Sequence, residues 1–152
     1  MAAVQTHLSP ELTRRRWWNI VSDAFEVTVA PENGGMWWTD GAIAEWLPTR
    51  ELPVDVGVSL SGVLLERVAE ARAMAETASL AMIGAVQRGG YLCYEVRSED
   101  RSVRVQSRYL AYLIEQGYDL KLAREFPEHW AAPPLLAFRG HQLRAMVMPL
   151  RS

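Results

Sequence analysis

Histidine is the first residue type to examine for chemistry, because it serves both as a general acid or base and as a metal ligand. This 152-residue chain has three, His7, His129 and His141. None has a second metal-ligating side chain at a spacing that metal sites use. We therefore expect solvated surface histidines and no metal site.

The other residue types that support catalysis give no better pattern. Cys93 is the single cysteine, and no basic residue stands beside it, which favours a buried small side chain over a reactive thiolate. The acidic pair at 99–100 adjoins Arg101, as in a solvated turn. The glycine pairs at 34–35 and 89–90 match no phosphate-binding loop. We infer that the protein is not an enzyme and needs no cofactor.

A basic run, Arg14, Arg15 and Arg16, precedes Trp17 and Trp18. On a helix, three consecutive side chains fan over about 200°, so the arginines make no single flat patch. With the two tryptophans they are candidate contacts for a nucleic acid or another partner, through charge and stacking. The favoured alternative is a solvated helix face that carries two core aromatic residues.

Composition restricts the class of protein further. The formal net charge of −2 and the pI near 5.9 give no general attraction to nucleic acid or to an anionic membrane. The apolar content of 49% is ordinary for a folded domain. One cysteine allows no intrachain disulfide, and the sequence shows neither a signal peptide nor a run of membrane-spanning length. We expect a soluble protein of the cytoplasm.

Three helices are predicted to position the side chains. Ser9 and Pro10 are typical of a helix start, and Ser107 is expected to cap a short helix that Gly117 ends. The strongest helical pattern covers 60–76, where an apolar stripe repeats at helical spacing. Its members are Leu60, Leu64, Val68, Ala71 and Ala75.

Strands are predicted wherever apolar and polar residues alternate, and 79–86 is predicted as a fully buried strand. The predicted strands are 25–30, 36–39, 42–47, 54–58, 79–86, 91–97, 101–106, 118–123, 135–138 and 143–150. With the helices they give the order αβββ, βαββ and βαβββ. This order predicts a single α+β domain over 1–152, with antiparallel sheets and one helix for each group of strands. Its parts are an N-terminal helix with hairpins (9–48) and two further units (54–100 and 101–151).

The end of the chain, from SVRVQSRYLAYLIEQGYDLKL to PLLAFRGHQLRAMVMPLRS, resembles the carboxy-terminal end of bacterial DNA polymerase III β sliding clamps. In that family a strand leads into a helix that opens with an Arg-Tyr-Leu-like triplet, and the last strand ends in Met-Pro-Met-Arg. The matching residues are Val103, Val105, Arg108, Tyr109, Leu110, Leu120, Leu122, Pro134, Leu135, Val147, Met148, Pro149, Leu150 and Arg151.

A second segment, TDGAIAEWLPTRELPVDVGVSLSGVLLERVAE, is similar to another part of the same family. There a Thr-Asp-Gly hairpin precedes a strand and a leucine-rich helix. The residues that fit are Thr39, Asp40, Gly41, Ala44, Val56, Leu60 and Leu64. The two matches together cover about 36–72 and 101–151, and they imply a sliding-clamp-like fold.

The resemblance also implies a binding site. In sliding clamps the Thr-Asp-Gly hairpin and the carboxy-terminal tail line a hydrophobic cleft for short linear motifs of polymerases and repair proteins. Carried over to this chain, the residues of that peptide slot are Thr39, Gly41, Val147, Met148, Pro149 and Leu150. The alternative is that Thr-Asp-Gly is only a turn and that the tail is only the end of a core strand.

Three features depart from the family. A whole clamp has three such domains per chain, so we expect no clamp-type dimer ring here. The family's His-Arg-Leu after the hairpin is replaced by Ala42, Ile43 and Ala44. The helix at 60–76 carries three glutamates against two arginines, whereas helices that face DNA in a ring are basic. The sequence therefore gives little support to encirclement of DNA.

Three functions remain open on the sequence alone, and one of them is direct DNA binding through the predicted helix that carries Arg14, Arg15 and Arg16. The leading hypothesis is a non-enzymatic protein-binding module with a sliding-clamp-like fold that interacts with replication or repair proteins. The alternative is a phage or mobile-element anti-defence protein, such as an anti-CRISPR, that inhibits a host nucleic-acid machine through its surface. Exposed tryptophans would favour the alternative, because interfaces concentrate binding energy in such side chains.

Overall fold

The computed structural model describes Trp17, Ile20 and residues 26–53, 55–88, 92–99 and 101–150, and these form an α+β fold, as predicted. The described helices are α1 (Gly62–Ala75) and α2 (Ser107–Glu115). The strands are β1 (Glu26–Glu32), β2 (Gly35–Thr39), β3 (Ile43–Leu47), β4 (Gly57–Leu60), β5 (Ser79–Leu80), β6 (Met82–Arg88), β7 (Leu92–Ser98), β8 (Arg101–Gln106), β9 (Asp119–Leu122), β10 (Leu135–Arg139) and β11 (Gln142–Val147).

Two sheets organise these strands. The larger one has eight strands in the order β4-β1-β2-β3-β11-β10-β9-β5, and β6-β7-β8 form the smaller one. Strand β4 runs parallel to β1, whereas every other paired neighbour is antiparallel. Near the middle of the large sheet β3 pairs with β11, with Ile43 opposite Val147. The early hairpins and the end of the chain therefore belong to one sheet.

Each face of the large sheet buries its own core, because successive side chains of a strand point to opposite faces. On β3, Ile43 points to the face that α2 covers, together with Trp17, Trp38 and Val147. The other face is covered by α1 and the segment 123–134, and it buries Ala44, Leu64, Trp130 and Met146 among others. The two faces thus place different residues of one strand against different helices.

Helix α1 begins two residues later than its stripe predicts. The Ser61 hydroxyl accepts a hydrogen bond from the Val63 amide at 3.2 Å and caps the helix. Leu64, Val68 and Ala71 are buried as predicted, but Leu60 is 77% exposed. The prediction for Leu60 is wrong because this residue ends strand β4 at the edge of the large sheet.

Helix α2 ends as predicted, but it does not begin as predicted. Ser107 is its first helical residue, Gln106 occupies the N-cap position, and no side chain caps the first turn. At the other end Gly117 has a φ of +79°, which is the left-handed conformation that glycine supplies after a helix.

Segment 79–86 is not one buried strand, so that prediction is wrong. It divides into β5, at an edge of the large sheet, and β6, in the small sheet. The side chains of Leu80 and Met82 are 71% and 59% exposed. Apolar composition alone did not reveal that the chain crosses between two sheet edges here.

The predicted N-terminal helix lies outside the described residues, apart from Trp17 and Ile20, which have helical backbone and are buried. Within the described part of the chain, neither helix has the length and apolar character needed to cross a membrane.

Candidate functional site

The Thr-Asp-Gly turn between β2 and β3 is held by side chains of its own residues. The Asp40 carboxylate accepts hydrogen bonds from the amides of Ala42 (2.8 Å) and Ile43 (3.0 Å). The Thr39 hydroxyl accepts from the Gly41 amide at 3.0 Å and donates to the Ile43 carbonyl at 2.7 Å. Gly41 has a φ of +102°, which favours glycine. The turn therefore has a defined shape that its own sequence dictates.

The same aspartate fastens the turn to α2. The Tyr109 hydroxyl donates to Asp40 Oδ2 at 2.9 Å, and the Arg108 guanidinium lies 4.7 Å from the Tyr109 ring centre. Burial and the neighbouring Asp40 carboxylate raise the pKa of Tyr109 to about 12, so this phenol remains a donor at neutral pH. The Thr-Asp-Gly and Arg-Tyr-Leu motifs are thus in direct contact.

The carboxy-terminal tail lies against the other side of the turn. The Met148 amide donates to the Ala42 carbonyl at 2.8 Å, which extends the pairing of β11 with β3. Two residues later, the Leu150 amide donates to the Arg104 carbonyl at 2.8 Å. The tail is therefore held at two points and runs past the turn in a fixed direction.

A pocket of about 580 Å³ opens where the turn, the tail and α1 meet. This volume is in the range of small-molecule binding pockets, roughly 300–1,000 Å³. Of the six residues predicted to form a peptide slot, Thr39, Gly41, Met148 and Pro149 line it. The structure therefore brings together four residues that come from opposite ends of the sequence.

The two remaining slot residues are not in the pocket lining. Val147 is fully buried on the opposite face of the large sheet, among the residues that pack against α2. Leu150 is half-buried and follows the part of the tail that borders the pocket. Alternation along the strand explains Val147, since its neighbours Met146 and Met148 point the other way.

The opposite wall of the pocket was missed by the sequence reasoning. It consists of Val63 and Leu64 from the first turn of α1 and of Trp130 from the loop before β10. Val63 is 53% exposed although it is apolar, which suits a binding surface. The sequence signal available was the position of Val63 beside the Ser61 cap, but only the fold shows which strands this end of the helix approaches.

A charged cluster borders the pocket beside this wall. Glu70 receives Arg67 Nη1 at 2.6 Å, His129 Nε2 at 2.6 Å and the Trp130 indole N–H at 3.2 Å. The hydrogen bond from Arg67 is the largest of the effects that lower the pKa of Glu70. His129 was predicted to be simply solvated, but it pairs with Glu70 while half of its side chain stays exposed. One carboxylate thus holds both basic residues of the rim, Arg67 and His129.

Of the five residues predicted as nucleic-acid or partner contacts, the structure describes one, Trp17. Trp17 is fully buried, with its ring 4.7 Å from that of Trp38, so its assignment as a nucleic-acid or partner contact is corrected to a core residue. Arg14, Arg15, Arg16 and Trp18 lie outside the described residues.

The interface tryptophans expected for an anti-defence protein are also buried among the described residues. Trp37 and Trp38 have no exposed surface and Trp130 is 6% exposed. They are core residues, so they present no aromatic anchors on a surface.

Glu45 is a buried carboxylate that the sequence reasoning did not identify. It lies on β3 and accepts hydrogen bonds from the hydroxyls of Tyr112 (2.7 Å) and Tyr118 (2.6 Å) and from the Trp38 indole N–H (3.2 Å). Burial is the largest effect and raises the pKa of Glu45. This cluster faces α2 and not the pocket, so we interpret it as a hydrogen-bonded cluster that stabilises the core.

Cysteine and potential metal ligands are the remaining side chains with distinctive chemistry. Cys93 is 1% exposed, as predicted for a buried small side chain. Within the described ranges, the structure contains no group of three or more His, Cys, Asp or Glu residues that could hold a metal.

Comparison of the chain with protein-family models, curated proteins and solved structures gives no match.

Proposed function

We propose that this protein is a non-enzymatic binding module whose pocket beside the Thr-Asp-Gly turn takes an extended linear motif of a partner protein. The observation that carries the proposal is the convergence of Thr39, Gly41, Met148 and Pro149 on one pocket. The resemblance of the turn and the tail to sliding clamps further suggests that the partner belongs to the replication or repair machinery.

The chemistry of the pocket supports a peptide with apolar anchors. Its floor and walls are made largely of Ala44, Val63, Leu64, Met146 and Met148. Full burial of one leucine or phenylalanine side chain contributes about 1.5–3 kcal/mol. Methionine adapts its shape to different occupants, so the slot suits a family of related motifs.

The rim supports orientation of the peptide. Arg67 and His129 stand at one side of the pocket, and the Glu70 carboxylate holds both. At the other side the turn offers an exposed glycine backbone at Gly41. Polar contacts of this kind fix the register of a peptide whose affinity comes from its apolar side chains.

Fluorescence anisotropy with a labelled peptide tests the proposal. The peptide is of the type that sliding clamps bind, with leucine and phenylalanine anchors, and a scrambled peptide serves as control. We expect saturable binding in the micromolar range for the first peptide alone. Absence of binding at high micromolar concentration would refute the proposed slot.

A pair of methionine variants locates the binding. Met148→Asp introduces a charge among apolar side chains of the pocket, and we expect affinity to fall by at least about tenfold, or about 1.4 kcal/mol. Met82→Asp makes the same change at a side chain that is 59% exposed and does not line the pocket, so it should leave affinity unchanged. Circular dichroism verifies that both variants are folded.

The anti-defence function gains no comparable support. It would draw on exposed aromatic anchors, and Trp17, Trp37, Trp38 and Trp130 are buried. The described residues therefore support a peptide-binding module better than an anti-defence protein.

A further inference from the structure

We propose a second binding site, for a small molecule that joins an oxyanion to an apolar group, in a pocket at the other end of α1. This pocket, of about 510 Å³, lies between the carboxy-terminal half of α1 and strands β3, β10 and β11. The residues that define it are Arg72, His141, Arg144, Trp46, Phe138 and Leu143. Basic side chains and apolar side chains thus meet in one cavity.

Arg144 is the centre of the proposed site. Its guanidinium stacks over the Trp46 ring, 4.1 Å from the ring centre, and it donates to the Gln142 side-chain oxygen. No ion pair joins Arg144 to a carboxylate among the described residues. The guanidinium is therefore held in place by a neutral ring and a neutral amide, and it retains donors for an anion.

Arg72 adds a second guanidinium of fixed orientation. It makes a two-pronged ion pair with Glu32, one contact being 3.1 Å, and Glu32 also accepts the Trp37 indole N–H at 3.1 Å. A guanidinium has five N–H donors, and each of these two contacts uses one. Arg72 is thus anchored on one side and keeps donors for the pocket.

The local electrostatics favour an anion. Partial burial, followed by the charge of Arg72, lowers the pKa of Arg144, whereas Tyr118 and Glu32 act in the opposite direction. Two guanidinium groups, of Arg72 and Arg144, line this pocket, and within the described ranges the one carboxylate paired with either of them is Glu32, so positive charge exceeds negative charge among these three side chains. His141 adds a further donor at the rim.

The apolar side chains of the pocket indicate that the ligand carries an apolar group beside its oxyanion. Phe138 and Leu143 are nearly buried, and Ala75 of α1 closes the same side. Phe138 and Leu143 pack in the core, so the apolar surface that a ligand can cover is that of Trp46 and Ala75, and an ion alone would leave it uncovered. We therefore expect an oxyanion, phosphate or carboxylate, that carries an aromatic or aliphatic group.

Titration monitored by amide NMR tests this site with three probes: inorganic phosphate, phenyl phosphate and benzoate. We expect saturable shifts at Trp46 and at residues 141–144 with phenyl phosphate, at an affinity at least about tenfold above that of inorganic phosphate. Comparable binding of benzoate would assign the oxyanion to carboxylates as well as phosphates. Absence of saturation with both phenyl phosphate and benzoate at millimolar concentration would overturn the proposal.

Two charge-matched variants separate the site from general electrostatics. Arg144→Gln should reduce affinity for phenyl phosphate at least about tenfold. Arg97→Gln removes one charge from an exposed side chain of the small sheet, and we expect no effect. Equal weakening by both variants would identify non-specific attraction and overturn the site. Gln142→Ala, which removes the orienting acceptor of Arg144, provides a second variant with an expected loss of affinity.

Discussion

At the scale of single residues, Glu45 is a buried carboxyl group whose desolvation is partly offset by hydrogen bonds. Three donors, from Tyr112, Tyr118 and Trp38, point at its two oxygens. They favour the ionised carboxylate, whereas burial disfavours it. Burial has the larger effect, and the pKa of Glu45 is raised above its ordinary value of 4.5.

This raised pKa predicts a dependence of stability on pH. The folded state binds a proton at Glu45 more tightly than the unfolded state, so the contribution of this group is fully present below the unfolded pKa. It is lost as pH rises through the folded pKa. Glu45→Gln keeps the shape without the titration, so its stability relative to wild type should increase as the pH rises above the unfolded-state pKa of about 4.3 and through the folded-state pKa.

Urea denaturation of both proteins across that range measures the difference. A constant difference at all pH values would contradict the assigned pKa direction. Glu45→Ala serves as a control for the hydrogen bonds, because it leaves three buried donors without an acceptor. It should lower the free energy of unfolding by about 3 kcal/mol or more at every pH.

At the scale of elements, the hydrogen bond from Tyr109 to Asp40 joins the Thr-Asp-Gly turn to α2. Tyr109→Phe removes this bond and also the one that the Tyr109 hydroxyl accepts from Arg108 Nη2 at 3.0 Å, so it should cost about 1–2 kcal/mol. Asp40→Ala also releases the amides of Ala42 and Ile43, so it should cost about 2–3 kcal/mol. In a double-mutant cycle we expect a coupling energy of about 1 kcal/mol. Strict additivity would show that the two motifs do not support each other.

The loop before β10, which carries His129 and Trp130, is a second element that borders the pocket. Glu70 of α1 holds it through His129 and Trp130. Glu70→Ala should therefore increase amide exchange across 128–132 and widen the peptide pocket, while global stability stays nearly unchanged because the ion pairs of Glu70 are exposed.

Glu66→Ala is the matched control for this loop. It makes the same substitution on the same helix at an exposed residue, and it should leave exchange of the loop unchanged. If the loop exchanges equally slowly in Glu70→Ala and wild type, the carboxylate does not hold it.

Local conformation could be read from the sequence where a residue's own chemistry decides it. The Asn33-Gly34 turn has φ values of +52° and +80°, as these residue types predict. Leu60 and Leu80 were less predictable, because both lie on edge strands. Which strand occupies an edge depends on pairings between distant segments, and one sequence does not reveal these.

The candidate site was likewise predictable from the sequence only in part. Thr39, Gly41, Met148 and Pro149 were predicted from motifs and lie together in the pocket. Val63 and Trp130, which complete it, belong to segments whose position follows from the packing of α1 and the loop on the sheet. Motifs identified one wall of the pocket, and the tertiary structure supplied the other.

At the scale of the whole molecule, the pairing of β3 with β11 makes the two ends of the described chain interdependent. Neither end completes the large sheet alone. We therefore predict one cooperative unfolding transition, in which tryptophan fluorescence and far-ultraviolet circular dichroism coincide. An earlier fluorescence transition would contradict this prediction, because the buried surroundings of tryptophans such as Trp17, Trp37 and Trp130 would then be lost before the secondary structure.

The same pairing is central to the proposed function, because it places the turn beside the tail. Methyl NMR of the protein with methionine labelled in the methyl group gives the most direct test. On addition of the peptide with leucine and phenylalanine anchors, the signals of Met146 and Met148 should shift and saturate, because both line the pocket. The Met82 signal should stay in place, because its exposed side chain lies outside the pocket. Unmoved signals of Met146 and Met148 at saturating peptide, or a shift at Met82 alone, would contradict the account.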